Sequence, residues 1–271
     1  MDWVLEQARR RGILVLLAPS YLGYEGGHEG WYQAMRANNP ARLRAYGQYL
    51  GRRYATFDNI LWVHGGDYDP PDKNPVREIA EGIREYDVSA LHSAPCAPER
   101  TARVCWGGEA WLQVDSIYTY GSVVPAARAA RARGGTMPFF FIEGQYENDY
   151  IEGRYQAGQV GDERRIRAQA YQSLLSGATG HVFGNNPIWH FDGPGLYPAP
   201  ASWRRALASR GAQSMSHLRN LFAARRWWTL EPDSGISALT SGHGSGQDRA
   251  VAAVSADRPV EAAVTPGTAG R

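Results

Sequence analysis

The chain has 271 residues, 43% of them hydrophobic, which suits one large α/β domain, or one barrel plus a small appendage. Its 29 basic and 27 acidic residues leave a net charge of +2, which argues against nucleic acid or an anionic membrane as partner. No apolar run approaches the ~18 residues of a membrane helix, and the Arg-rich runs are scattered, as on solvated helix faces, rather than gathered among aromatics.

In chain order, apolar runs alternate with helical patterns, as in parallel βα units. Asp2 to Arg11 reads as an amphipathic helix, and Ile13 to Ala18 as a buried strand stopped by Pro19. The Gly- and Tyr-rich stretch Ser20 to Gly30 reads as a loop, with Tyr21, Tyr24 and His28 as subsite candidates or simply a flexible aromatic loop. Pro40 to Phe57 has helical spacing, with Leu43, Tyr46, Leu50 and Tyr54 on one side. Asn59 to His64 is the next strand and ends on Gly65-Gly66-Asp67.

Asn74 to Tyr86 is predicted helical, Ala90 to Ala94 a short strand, Asp115 to Tyr120 a further strand, and Pro125 to Arg133 a helix. Pro138 to Glu143 is an apolar strand that stops on a carboxylate. The helix Asp162 to Ser176, the strand Gly180 to Gly184 and the long helix Ser202 to Ala224 follow. From Trp227 the tail turns into short β-like pieces with Ser/Gly turns. About six strands with parallel connections imply a TIM-type (β/α) barrel lacking its first two βα units, since eight strands close such a barrel. Residues 1–224 would form that barrel, and 225–271 the start of a truncated β-rich domain. An open doubly wound sheet is the alternative, but no Gly-rich phosphate fingerprint follows any strand.

Cys96 and Cys105 lie nine apart in one loop-like stretch and are compatible with a local disulfide or two free thiols. Asp67, Asp69 and Asp72 lack the Gly and terminal Glu of an EF-hand loop, and Pro70-Pro71 favours a rigid turn over a metal site. No cofactor or metal is expected, and the oligomeric state is open. No signal peptide is visible; one lying before Met1 would make the protein secreted or periplasmic.

Barrel sites lie at the C-terminal ends of strands. Asp67 and Glu143 both follow apolar strands there, and glycoside hydrolysis needs two carboxylates, one as acid and one as base or nucleophile. A turn residue for Asp67 and a salt bridge for Glu143 are the plainer alternatives. His64 could face substrate or Asp67. Of Tyr118 and Tyr120, one could orient the nucleophile or both could pack in the core. Tyr146 and Glu147 follow Glu143, with Glu147 able to bind a sugar hydroxyl or to cap a segment. Asn185, Asn186, Trp189 and His190 could hydrogen-bond and stack on a sugar, while Trp189 could equally anchor a loop. His181 reads as a buried strand histidine bonded to backbone.

The runs Trp62 to Asp67, Ile142 to Glu147, Arg167 to Tyr171, Gly177 to Gly184 and Trp189, in this order, resemble the apiosidase-like glycoside hydrolases. The resemblance spans about Asp2 to Ala224. It implies a (β/α)8 barrel followed by a small β-sandwich, and release of a terminal sugar from a plant-type polysaccharide, best known as apiose from rhamnogalacturonan II. It also implies acid/base chemistry for Asp67 and a nucleophilic role for Glu143. The absent first strands make a truncated pseudo-enzyme, or a non-catalytic carbohydrate-binding barrel, the rival expectation.

Overall fold

A computed structural model describes residues 1–133, 136–149, 160–191, 193, 198–199, 201–235, 238–245 and 249–255. The chain is mixed α/β and divides into two compact units, Met1–Tyr118 and Thr119–Arg271.

In the first unit α1 (Asp2–Arg9) leads into β1 (Val15–Leu17). A 3-10 turn at Tyr24–Gly26 lies within the stretch expected to be loop, and the short helix α2 (Tyr32–Arg36) follows it. Then come α3 (Pro40–Tyr54), β2 (Ile60–Val63), α4 (Asn74–Arg84) and β3 (Leu91–Ser93). The three strands are parallel in the order β1-β2-β3, with Leu16 opposite Leu61 and Leu61 opposite Leu91. Asn39 starts α3 by accepting the Ala41 N–H at 2.8 Å, with Pro40 as its first residue. The helices α3 and α4 approach backbone to backbone: a Cβ on Gly47 would lie 2.2 Å from the Ile79 carbonyl oxygen. Tyr46, expected on the inner side of α3, is exposed instead and donates to the Pro19 carbonyl at 2.9 Å.

β2 is buried throughout, and Trp62 at its centre is fully buried with its indole N–H on Asp87 at 2.9 Å. β1 departs from the buried strand expected. Leu14 and Leu16 are 59% and 37% exposed, because among the described residues β1 has a ladder neighbour on one side alone. An unforeseen hairpin element follows β3. β4 (Arg100–Thr101) pairs antiparallel with β5 (Asp115–Tyr118), with the short helix α5 (Ala102–Trp106) between them.

Cys96 and Cys105 are joined by a disulfide that closes this segment. Closing a loop of this size removes chain entropy from the unfolded state worth roughly 2–3 kcal/mol. The double variant Cys96→Ser/Cys105→Ser is expected to unfold at lower urea, lowering stability by that amount; an unchanged midpoint would show that the bond constrains nothing.

The second unit contains α6 (Val123–Ala132), β6 (Phe139–Glu143), α7 (Glu163–Leu175), α8 (Asn186–His190), α9 (Trp203–Ala206), α10 (Arg210–Ala223), β7 (Leu230–Pro232) and β8 (Ala253–Ser255). Asp162 starts α7 by accepting the Arg165 N–H at 2.8 Å. The strand expected over Gly180 to Gly184 forms no ladder. It runs parallel to β6 through a single bridge, Phe141 to His181, with the Phe141 N–H on Gly180 at 3.0 Å and the Val182 N–H on Phe141 at 2.9 Å. The long helix expected over Ser202 to Ala224 is two helices. Ser209 has extended backbone (ψ 162°) and caps α10 through the Ala212 N–H, so the chain restarts a helix there. β7 and β8 pair antiparallel, and their neighbours share one apolar core with three helices: Val251 and Ala253 pack with Val124, Ala170, Leu175, Leu218 and Phe222.

Candidate active site

Asp67 follows β2 through two glycines in the left-handed half of backbone space, Gly65 at φ 87° and Gly66 at φ 131°, and itself sits at φ 43°. Only glycine takes the second of these angles readily. The turn is held from the β1 side. Tyr21 lies in a parallel bridge with Gly65. Its ring lies so close to Gly66 that a Cβ there would come within 2.5 Å of it. Its hydroxyl donates to Asp67 Oδ2 at 2.5 Å. The Glu25 N–H donates to the Asp67 carbonyl at 3.3 Å. Asp67 remains half-buried. From beneath, Trp106 packs against Gly65 and donates its indole N–H to Pro95 at 3.1 Å.

Glu143 is the last residue of β6 and is half-buried like Asp67. Its Oε1 accepts from the Tyr146 hydroxyl at 3.1 Å and the Tyr120 hydroxyl at 3.4 Å, while its carbonyl accepts the Thr119 N–H at 3.1 Å. The Tyr146 ring lies against Gly184, where a Cβ would approach it to 2.4 Å. The two carboxylates thus share one device: a tyrosine ring seated on a glycine, with its hydroxyl on the acid.

Other residues singled out from the sequence serve different ends. His64 is buried and its Nε2 shares a hydrogen bond with His92 Nδ1 at 2.8 Å, the rings stacked 5.1 Å apart and nearly parallel. Burial holds the His64 imidazole well below its ordinary pKa, with the neighbouring His92 adding to the effect. His92 is pushed down to about 4 by burial and then by the Arg84 charge. Tyr118 is 3% exposed and belongs to the core. His181 Nε2 has no hydrogen-bond partner among the described residues, and burial lowers that imidazole to about 4.

Glu147 is buried and takes the capping alternative. Its Oε1 accepts the Gly211 N–H at 2.8 Å; its Oε2 accepts Asn185 Nδ2 at 3.0 Å and the Ser209 hydroxyl at 2.5 Å. A carboxylate there meets the positive end of α10. Asn185 is drawn into this network, and Asn186 Nδ2 donates to the Asn148 and Pro198 carbonyls at 3.2 and 3.1 Å. Trp189 is 45% exposed with its ring edge-on to His190, whose Nδ1 lies 2.9 Å from the Gly193 carbonyl.

Among the described residues one cluster has metal-ligand spacing, Asp69 with Cys96 and Cys105. The disulfide removes both thiolates, and Asp69 pairs with Lys73 at 2.7 Å and Arg100 at 3.0 Å. These donors do not suit an ion. No helix among the described residues is long and apolar enough to cross a membrane.

The residue that sequence reasoning placed least well is Tyr21, set down as one member of a loop. The available signal was positional: Tyr21 and Gly65 both lie shortly past the ends of β1 and β2, and β1 and β2 are parallel neighbours.

Solved structures place this architecture. One, described as a glycoside hydrolase, superposes with a TM-score of 0.80 over 94% of this chain at 22% identity. Another, a glycoside hydrolase family 5 structure from Bacteroides vulgatus ATCC 8482, superposes with a TM-score of 0.80 over 94% of this chain at 24% identity. The chain therefore has the fold of known glycoside hydrolases, and it spans 60% and 59% of the length of those two chains. Among curated proteins none matches it. The family model described as "Apiosidase-like, catalytic domain" matches residues 1–229, and the chain belongs to that family.

Proposed function

We propose that this chain carries the catalytic machinery of a glycoside hydrolase that releases a terminal sugar from a plant-type poly- or oligosaccharide, with Asp67 as acid/base and Glu143 as nucleophile. The observation that carries the reading is the shared setting of the two acids: Glu143 ends an apolar strand and Asp67 follows one through a Gly-Gly turn, and each stays partly exposed and keeps a tyrosine hydroxyl on a carboxylate oxygen. The family match covers both residues. The reading takes the parallel strands as members of a TIM-type (β/α) barrel, whose strands deliver chemistry at their C-terminal ends.

In the first step the Glu143 carboxylate attacks the anomeric carbon. The glycosidic C–O bond breaks with its electron pair going to the departing oxygen, which takes the proton of Asp67. In the second, Asp67 removes a proton from water, whose oxygen displaces Glu143 from the sugar. Tyr120 and Tyr146 steady the nucleophile as an anion before attack. Trp189, exposed beside His190, offers a face on which a sugar ring can stack.

The test is sugar release from rhamnogalacturonan II and from a panel of nitrophenyl glycosides, by wild type and by Asp67→Asn. Release by wild type, with the anomeric configuration retained by NMR, and loss of about a hundredfold or more in the variant on the polysaccharide is expected. Binding of these glycans without turnover by wild type would establish a carbohydrate-binding protein instead, and an inverted product would remove Glu143 as nucleophile.

A further inference from the structure

Resting on Asp67 as the acid/base, we infer that Tyr21 is the positioning residue that commits one oxygen of Asp67 to proton delivery. Tyr21 is fixed before its hydroxyl is considered. Its main chain extends the β1–β2 pairing through the bridge to Gly65, and its carbonyl accepts the Trp31 N–H at 2.7 Å. Its ring rests on Gly66, where φ is 131° and a Cβ would approach to 2.5 Å, so both the bare glycine and its backbone angle make room for the aromatic face. The hydroxyl then meets Asp67 Oδ2 at 2.5 Å. The same loop reaches the backbone of Asp67 through the Glu25 N–H.

A carboxylic acid that donates a proton carries it on one oxygen. A phenol O–H already donating to Oδ2 occupies a lone pair there and makes Oδ2 the poorer seat for that proton, which leaves Oδ1 to carry it. When the Asp67 O–H bond breaks and the new O–H bond forms on the departing oxygen, the charge left on Asp67 is met at Oδ2 by a donor already in place. No reorganisation is needed at that moment, which is how fixed dipoles lower a barrier. The requirement falls on the step that needs a proton. A leaving group that departs unaided does not call on it.

Tyr21→Phe keeps the ring on Gly66 and removes only the hydroxyl. The full chain is assayed on phenyl and dinitrophenyl glycosides of the sugar that wild type releases, and kcat/KM is compared because it reports the bond-breaking step. For the phenyl glycoside kcat/KM is expected to fall about ten- to hundredfold, the loss of one hydrogen bond to a charged group. For the dinitrophenyl glycoside it is expected to stay within about threefold, since that phenolate leaves without a proton. A fall of equal size on both substrates, as a merely structural role would give, overturns the inference, and so does no fall on either. Asp67→Asn is the reference. An equal loss on both substrates in that variant defeats the acid/base reading itself, whereas a selective loss in Asp67→Asn with wild-type behaviour in Tyr21→Phe defeats the role of Tyr21 alone.

Discussion

Glu143→Gln is expected to lower kcat by about four orders of magnitude or more, the scale seen when a covalent nucleophile is removed. An amide has the shape of the carboxylate but neither its charge nor its lone-pair donation, so no bond to the anomeric carbon forms. The fold has little reason to change. An amide oxygen placed at the Oε1 position still accepts from Tyr120 and Tyr146, and the Thr119 N–H bonds the backbone carbonyl, which the substitution leaves alone. The thermal midpoint should therefore stay within about 2 °C of wild type. The decisive comparison is kcat at saturating substrate against the unfolding midpoint. Activity within tenfold of wild type removes Glu143 from the mechanism, and a large drop in midpoint would assign it to stability.

The second large effect concerns acid. His64, His92 and His181 all have imidazoles that burial holds below their ordinary value, His92 and His181 at about 4 and His64 well below 6.5. In the unfolded chain the same rings take up a proton near pH 6.5. Between about 6.5 and 4 the unfolded state thus binds more protons than the folded one, and stability must fall as pH is lowered through that window. The stabilisation is complete above the upper limit and lost toward the lower. For His92 and His181 the loss is on the order of 2–3 kcal/mol each. Urea unfolding at pH 7, 5.5 and 4.5 should show it. His181→Phe isolates one share, because His181 already packs against the Phe141 ring at 5.5 Å and its Nε2 has no hydrogen-bond partner among the described residues. The variant should lose about 2 kcal/mol less than wild type over this range; an identical pH dependence would mean that the ring is solvated in the folded chain.

The two acids proposed as catalytic stand out because their signal is local. An apolar run that stops on a carboxylate, or just before one, is conspicuous. Their partners were less so. Tyr21 meets Asp67 across 46 residues, and the contact exists only once β1 and β2 are in register. Closeness to Glu143 in the chain makes Tyr146 a candidate for the site, but it does not reveal that the hydroxyl turns back onto that acid. Glu147 shows the limit of reading by proximity. It lies four residues past Glu143 but belongs to the start of α10, because buried N–H groups at a helix N-terminus attract an anion that happens to be near in space. His64 was read as facing substrate because no periodicity reveals that His92, on the adjacent strand, offers a ring to stack against. The break between α9 and α10 was missed because Ala, Leu and Arg favour helix on both sides, and one serine side chain sufficed to restart the count.

The placement of Val251 and Ala253 has a practical side for anyone trimming this polypeptide. They fill the same apolar space as Val124, Leu175 and Phe222, so a truncation at residue 224, where composition suggests a boundary, would leave greasy helix faces bare to water. Expression of such a shortened version should yield inclusion bodies rather than a tidy domain, and a stop placed beyond Ser255 is the safer choice.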